Sequence, residues 1–163
     1  MSMIGNFLAV TEADLKSYLD NCDLLAARIN DYDSENQNSI DVDKAWQAIH
    51  YILTNDPWEG ESPESLVILG GQDIGEDFGY GPGKYLTSSE VKMVAEFLKK
   101  VDFTKIRAEY DPETFDNLEI YPSVIWLEEK EEALDYVLSF FEPLIEFYAN
   151  AAKNNFAVVK YIN

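Results

Sequence analysis

One cysteine and one histidine are all that these 163 residues carry of the two side chains most used for metal ligation and nucleophilic catalysis. A lone Cys22 excludes an internal disulfide and a cysteine-based zinc cluster, and its expected place is that of a small buried hydrophobe. A lone His50 excludes a histidine pair. No Gly-x-Ser-x-Gly stretch accompanies it, so no Ser-His-Asp or Cys-His arrangement is signalled. Bases are also scarce: 12 Lys and Arg stand against 31 Asp and Glu, a net charge of −19. Such a surface repels nucleic acid and anionic membranes. No run reaches the roughly 18 to 20 apolar residues of a helical membrane span. The opening "MIGNFLAV" has no basic residue before it and reads as a strand of the mature protein, which places the expected setting in the cytoplasm.

What is present is a core. The chain is 47% apolar, and a chain of ~150 residues buries roughly 70% of its unfolded surface, so residues 1–163 are expected to form a single domain. After the first strand, Thr11 caps a helix whose apolar face holds Leu15, Tyr18 and Leu19, and a short helix over Asp23 to Ile29 follows. The polar "NDYDSENQNSI" reads as a loop. Asp41 opens "VDKAWQAIHYILTN", where Trp46, Ile49 and Leu53 recur at helical spacing. "SLVILGG" reads as a buried strand, and Thr87 with Glu90 as a capping box for "EVKMVAEFLKKV". Pro112 starts a helix in "DPETFDNL"; Pro122 marks "EIYPSVIW" as an extended edge segment. "EKEEALDYVLSFFEPLIEFYANAAK" is the expected central helix, kinked or broken near Glu142 by Pro143, and "FAVVKYI" is a final strand. The fold expected is α+β: a small mixed sheet of short strands packed against about five to six helices, with the long C-terminal helix central.

Six of the eight glycines crowd into "LGGQDIGEDFGYGPGKYLTSSE", Leu69 to Glu90. A Walker loop needs Gly-Lys followed by Ser or Thr, and here Tyr85 follows Gly83-Lys84. A dinucleotide fingerprint needs Gly-x-Gly-x-x-Gly leading straight into a helix, whereas Gly79, Gly81 and Gly83 are spaced by two. The stretch is therefore a long loop that allows positive φ or close backbone approach, with Tyr80 and Tyr85 as aromatic surface. Lys84 is the only base between Asp56 and Glu90. In "DYDSENQNSIDVD" the EF-hand register fails from either Asp31 or Asp33, since Val42 or Lys44 stands where the bidentate Glu belongs. No metal site and no cofactor are expected. His50, four residues after Trp46, is expected as a half-buried imidazole beside the apolar stripe.

The landmarks "MIGNFLAV", "DVDKAWQAIHYILT", "LGGQDIGEDFGYGPGKYLT" and "IYPSVIW" resemble those of the YfbM-like family, a bacterial family of domains of unknown function, over essentially the whole chain. The resemblance implies an α+β single domain in a bacterial cytoplasm and assigns no catalytic residue. Two functional readings follow. In the first, the acidic chain is a soluble protein-interaction or binding module for a basic protein partner. In the second, it is a small enzyme or metabolite-binding protein with a cleft beside the glycine loop, residues 69–85. There Lys84 would contact a small anionic ligand, Gly79 and Gly81 would let backbone approach it, Tyr80 would stack on it, and His50 or Asp77 would serve as acid-base groups.

Overall fold

The computed structural model describes residues 2–31 and 38–163. Residues 32–37, the middle of the expected loop "NDYDSENQNSI" and part of both calcium registers, lie outside these residues, and the described end of that loop, Ser39 and Ile40, is strand rather than loop.

Five strands form one sheet: β1 (Gly5–Val10), β2 (Ser39–Asp41), β3 (Gln72–Ile74), β4 (Gly83–Leu86) and β5 (Ala157–Ile162), in the order β2-β1-β5-β4-β3. Every pairing is antiparallel. The fold is α+β as expected, but the sheet is antiparallel rather than mixed, because each neighbouring pair runs in opposite directions. β1 and β5 fill the centre and are buried on both sides, which explains why their sequences read as near-continuous apolar runs.

Eight α-helices stand among the described residues: α1 (Glu12–Asp20), α2 (Cys22–Ile29), α3 (Trp46–Thr54), α4 (Ser88–Leu98), α5 (Phe103–Glu109), α6 (Pro112–Asn117), α7 (Trp126–Glu129) and α8 (Glu131–Lys153). On one sheet face, Leu8, Val10, Ala157 and Val159 pack with Leu15 of α1 and Leu25 of α2. The opposite face, with Phe7, Ala9, Leu86 and Val158, meets the core of the remaining helices. Strand alternation at period two divides these residues between the two cores.

Helix starts follow the sequence. Thr11 accepts the Asp14 N–H, Thr87 and Glu90 form the reciprocal capping box, and Pro112 occupies the first turn of α6. α8 is one continuous helix through Pro143, so the chain does not break near Glu142, and it presents a buried stripe of Leu134, Val137, Phe141, Leu144 and Tyr148 rather than an apolar surface all round. The Tyr148 hydroxyl donates to the Val67 carbonyl at 2.7 Å.

Three further expectations change. "SLVILGG" is no strand: a single 3-10 turn spans Ser65–Val67, and the Gly70 N–H returns to the Ser65 carbonyl at 2.7 Å. Strand pairing falls instead to the hairpin β3–β4 inside the glycine stretch. "EIYPSVIW" holds no extended edge; the chain turns through it and enters α7 at Trp126. Cys22 is exposed at the start of α2, not buried, since α2 faces the sheet with Leu25. Among the described residues, no helix is long and apolar enough to cross a membrane.

Candidate ligand-binding cleft

The sheet register places four side chains in one row. Phe7 of β1 faces Lys160 of β5, Lys160 faces Lys84 of β4, and Lys84 faces Asp73 of β3. Directly opposite residues share a face, so the row reads apolar, positive, positive, negative. It runs along a cleft of about 310 Å³ between the sheet, the start of α3 and the loop after the 3-10 turn, with Phe7 and Lys160 buried and Lys84 and Asp73 nearer to solvent. Trp46, Trp58, Ile68, Leu69, Tyr80 and Pro82 complete its walls.

Each wall has a local cause. Asn55 closes α3 in the left-handed conformation, and the Asp56 carboxylate then accepts the N–H groups of Trp58 and Glu59 at 2.9 and 2.8 Å. That turn holds Trp58 outward, 63% exposed, with its ring 6.1 Å from that of Trp46. On the other side, the Asp77 carboxylate accepts from Gly79 and Gly81 at 2.8 and 3.0 Å, and the Phe78 N–H meets the Gly81 carbonyl. Gly79 and Gly81 have φ of 130° and 97°, so the turn lifts Tyr80 between two residues that a side chain would strain. Tyr80 is 45% exposed.

The two cations differ. Lys84 is part-exposed and pairs with the exposed Asp73 across the β3–β4 hairpin. Lys160 is buried, and its Nζ donates to the carbonyls of Leu66 and Gly70 at 2.5 and 2.6 Å. Burial pushes its amine down to about 7, with Glu90 acting in the opposite direction and Lys84 adding to the depression. Lys160 thus satisfies carbonyls that a strand at "SLVILGG" would have paired with a neighbour.

The sequence-named residues separate into three groups. Tyr80 and Lys84 line the cleft. Gly79, Gly81 and Asp77 build the turn that presents Tyr80 and do not line it; hydrogen bonds from the two glycines hold the exposed Asp77 carboxylate below its usual range. His50 stands apart, fully buried in α3 rather than half-buried. Its Nε2 lies 3.0 Å from the Glu59 carbonyl, which makes Nε2 the protonated nitrogen, and Nδ1 has no partner among the described residues. Burial lowers its proton affinity. Neither His50 nor Asp77 is placed to exchange protons with a ligand in the cleft. Lys160 and Trp58 are the residues that sequence reasoning missed; a lysine in the middle of "FAVVKYI" was the available signal of a buried charge.

A second cleft, about 340 Å³, lies between α3, α5 and α6, lined by Tyr51, Tyr110, Phe115, Glu109 and Asp111. It contains acids and no base. Among the described residues, no group of three or more His, Cys, Asp or Glu side chains is arranged to hold a metal ion.

A family model described as a domain of unknown function, DUF1877, matches residues 1–161. Protein YfbM of Escherichia coli (strain K12) is 28% identical over 139 residues, covering 82% of this chain and 81% of that protein. The crystal structure of YfbM, a protein of unknown function from Escherichia coli, superposes with a TM-score of 0.76 at 22% identity, covering 98% of this chain and 99% of that one. That likeness shows the fold alone.

Proposed function

For a chain that belongs to the DUF1877 family, whose members' fold carries no assigned activity, we propose small-molecule binding in the cleft beside the glycine loop. The ligand has an acidic group and a flat apolar body. The observation that carries this reading is the gathering of Lys84, Lys160, Trp58 and Tyr80 around one cavity in a chain of net charge −19. Small-ligand sites combine apolar and aromatic walls with a few placed polar groups, and about 300 Å³ is the lower end of their size range. Lys84, the part-exposed base of the cleft in a chain of net charge −19, gives an anion a favourable position. The bacterial cytoplasm as setting belongs to the same proposal, supported by the Escherichia coli relative and by an exposed free thiol that suits a reducing compartment.

The test is a protein-observed NMR titration with a panel of small acids carrying apolar bodies, amino acids among them. Expected are shifts confined to the Trp58 indole and the backbone of Tyr80, Lys84 and Tyr161, lost in Lys84→Ala. Shifts clustered elsewhere, or none across the panel, would overturn the reading.

A second reading, an interaction module for a basic protein, is favoured by the net charge and by the acid-lined cleft at Glu109 and Asp111. Capture of one basic partner from host extract at low salt, released at high salt and lost when both acids are neutralised, would support it. Capture indifferent to those acids would count against it.

A further inference from the structure

Building on the cleft reading, we propose that the ligand is a free amino acid with a large apolar side chain, bound as a zwitterion by Asp73 and Lys84. The cross-strand pair is already complete before any ligand arrives: Lys84 Nζ contacts the Asp73 carboxylate, with side-chain exposures of 36% and 65%. A ligand carrying only an acid must draw Lys84 away from Asp73 or sit against a carboxylate of its own sign. A ligand carrying only an ammonium meets Lys84 in the same way. A zwitterion avoids both costs, because its carboxylate adds to Lys84 and its ammonium to Asp73, so that each of four charges has an opposite neighbour.

The row across the sheet also fixes the orientation. Lys160 lies one strand inward from Lys84, opposite the side on which Asp73 lies. Lys160 Nζ is turned to the Leu66 and Gly70 carbonyls, so Lys84 is the cation left for the carboxylate, and the ammonium falls to Asp73 over the edge strand β3. The side chain is then directed to the apolar walls, where Trp58 and Tyr80 supply ring surface and Ile68 and Leu69 supply aliphatic surface. Backbone spacing adds rigidity: the charged pair projects from paired strands of a hairpin rather than from a free loop, so its separation is set by the sheet.

Three probes with one ring and different charges test this: L-phenylalanine, 3-phenylpropionate, which lacks the ammonium, and 2-phenylethylammonium, which lacks the carboxylate. Affinities come from calorimetry and the site from the Trp58 indole resonance. The expected result is saturable binding of L-phenylalanine, with each single-charge analogue at least tenfold weaker. In Asp73→Asn the preference for L-phenylalanine over 3-phenylpropionate should shrink to threefold or less, while in Lys84→Gln both should weaken. If 3-phenylpropionate binds the cleft of the unaltered protein as tightly as L-phenylalanine, the zwitterion proposal is overturned and the cleft reading stands. If none of the three reaches the cleft, the proposal is overturned, and the wider panel of acids decides the cleft reading separately.

Discussion

The Lys160 ammonium, in the middle of β5, reaches the Gly70 carbonyl at 2.6 Å and thereby ties the centre of the sheet to the loop that forms the cleft wall. The cost of burying that cation sets its titration. Its amine sits at about 7 in the folded protein against 10.5 in a free lysine. Between those values the unfolded chain holds a proton that the folded chain has lost, so this group makes stability rise with pH. Compared with Lys160→Met, the unaltered protein should gain unfolding free energy from pH 7 to pH 9, by at most about 1.4 kcal/mol per unit. Urea unfolding at pH 7, 8 and 9 measures it; parallel pH profiles for the two proteins would refute it.

His50 has its proton affinity lowered, chiefly by burial. As pH falls below 6.5, the unfolded chain takes up a proton that the buried ring refuses, and stability drops. The His50→Leu protein lacks that contribution. Its unfolding free energy should therefore fall less steeply between pH 7 and pH 5 than that of the unaltered protein, although its absolute stability is lower for want of the bond to Glu59. An NMR titration in which the imidazole changes charge near its ordinary value would contradict this.

Leu144 is fully buried on the inner stripe of α8. Leu144→Ala leaves a cavity in the main core and should cost about 2 to 5 kcal/mol by denaturant unfolding. A loss below about 1 kcal/mol would mean that α8 is less enclosed than described.

Lys84→Ala should behave in the opposite way. A part-exposed cross-strand ion pair contributes roughly 0 to 1 kcal/mol, so the melting temperature should move by only a few degrees while cleft binding disappears. Thermal unfolding by circular dichroism beside the ligand titration separates the two effects. A collapse of the fold would make Lys84 a structural residue.

Glycines of the stretch should not be equivalent. A Cβ on Gly71 would lie 2.7 Å from the Tyr85 carbonyl oxygen at a φ of +118°, whereas one on Gly81 would meet nothing within 4 Å and carry only the strain of its φ. Gly81→Ala should cost about 1 to 2 kcal/mol, and Gly71→Ala distinctly more, because two backbones would have to part. Equal losses in denaturant unfolding would argue against that close approach.

Local chemistry in the sequence was enough to place Thr11, Thr87 with Glu90, and Pro112 at their helix starts, since each acts within three residues. "SLVILGG" misled because its branched apolar residues suit a strand, while what decides its shape lies far away: Lys160 bonds Leu66 and Gly70 across 94 and 90 positions. At Pro143 the helix continues where the local preference allowed a break, with Phe141 and Leu144 on either side of it buried. In the cleft, Tyr80 and Lys84 were legible as the aromatic and the lone base of the glycine stretch. Trp58 and Lys160 were not, because only the folded sheet and the turn after α3 bring them to the same cavity.

The central position of β1 and β5 has a consequence for how the chain is made. β5, the last of the five strands in sequence, is the middle one of the sheet, and it pairs with β1, the first, from Gly5 with Ile162 to Val10 with Ala157. β1 with β2, and the β3–β4 hairpin, all precede β5 in the chain and share no pairing with each other. Residues 157–162 are therefore the piece that must insert to join both halves and set Lys160 under its carbonyls. Until then the unpaired edge of β1 is the segment most open to wrong partners, and the cleft that Lys160, Tyr161 and Ile162 help to line lacks one of its walls.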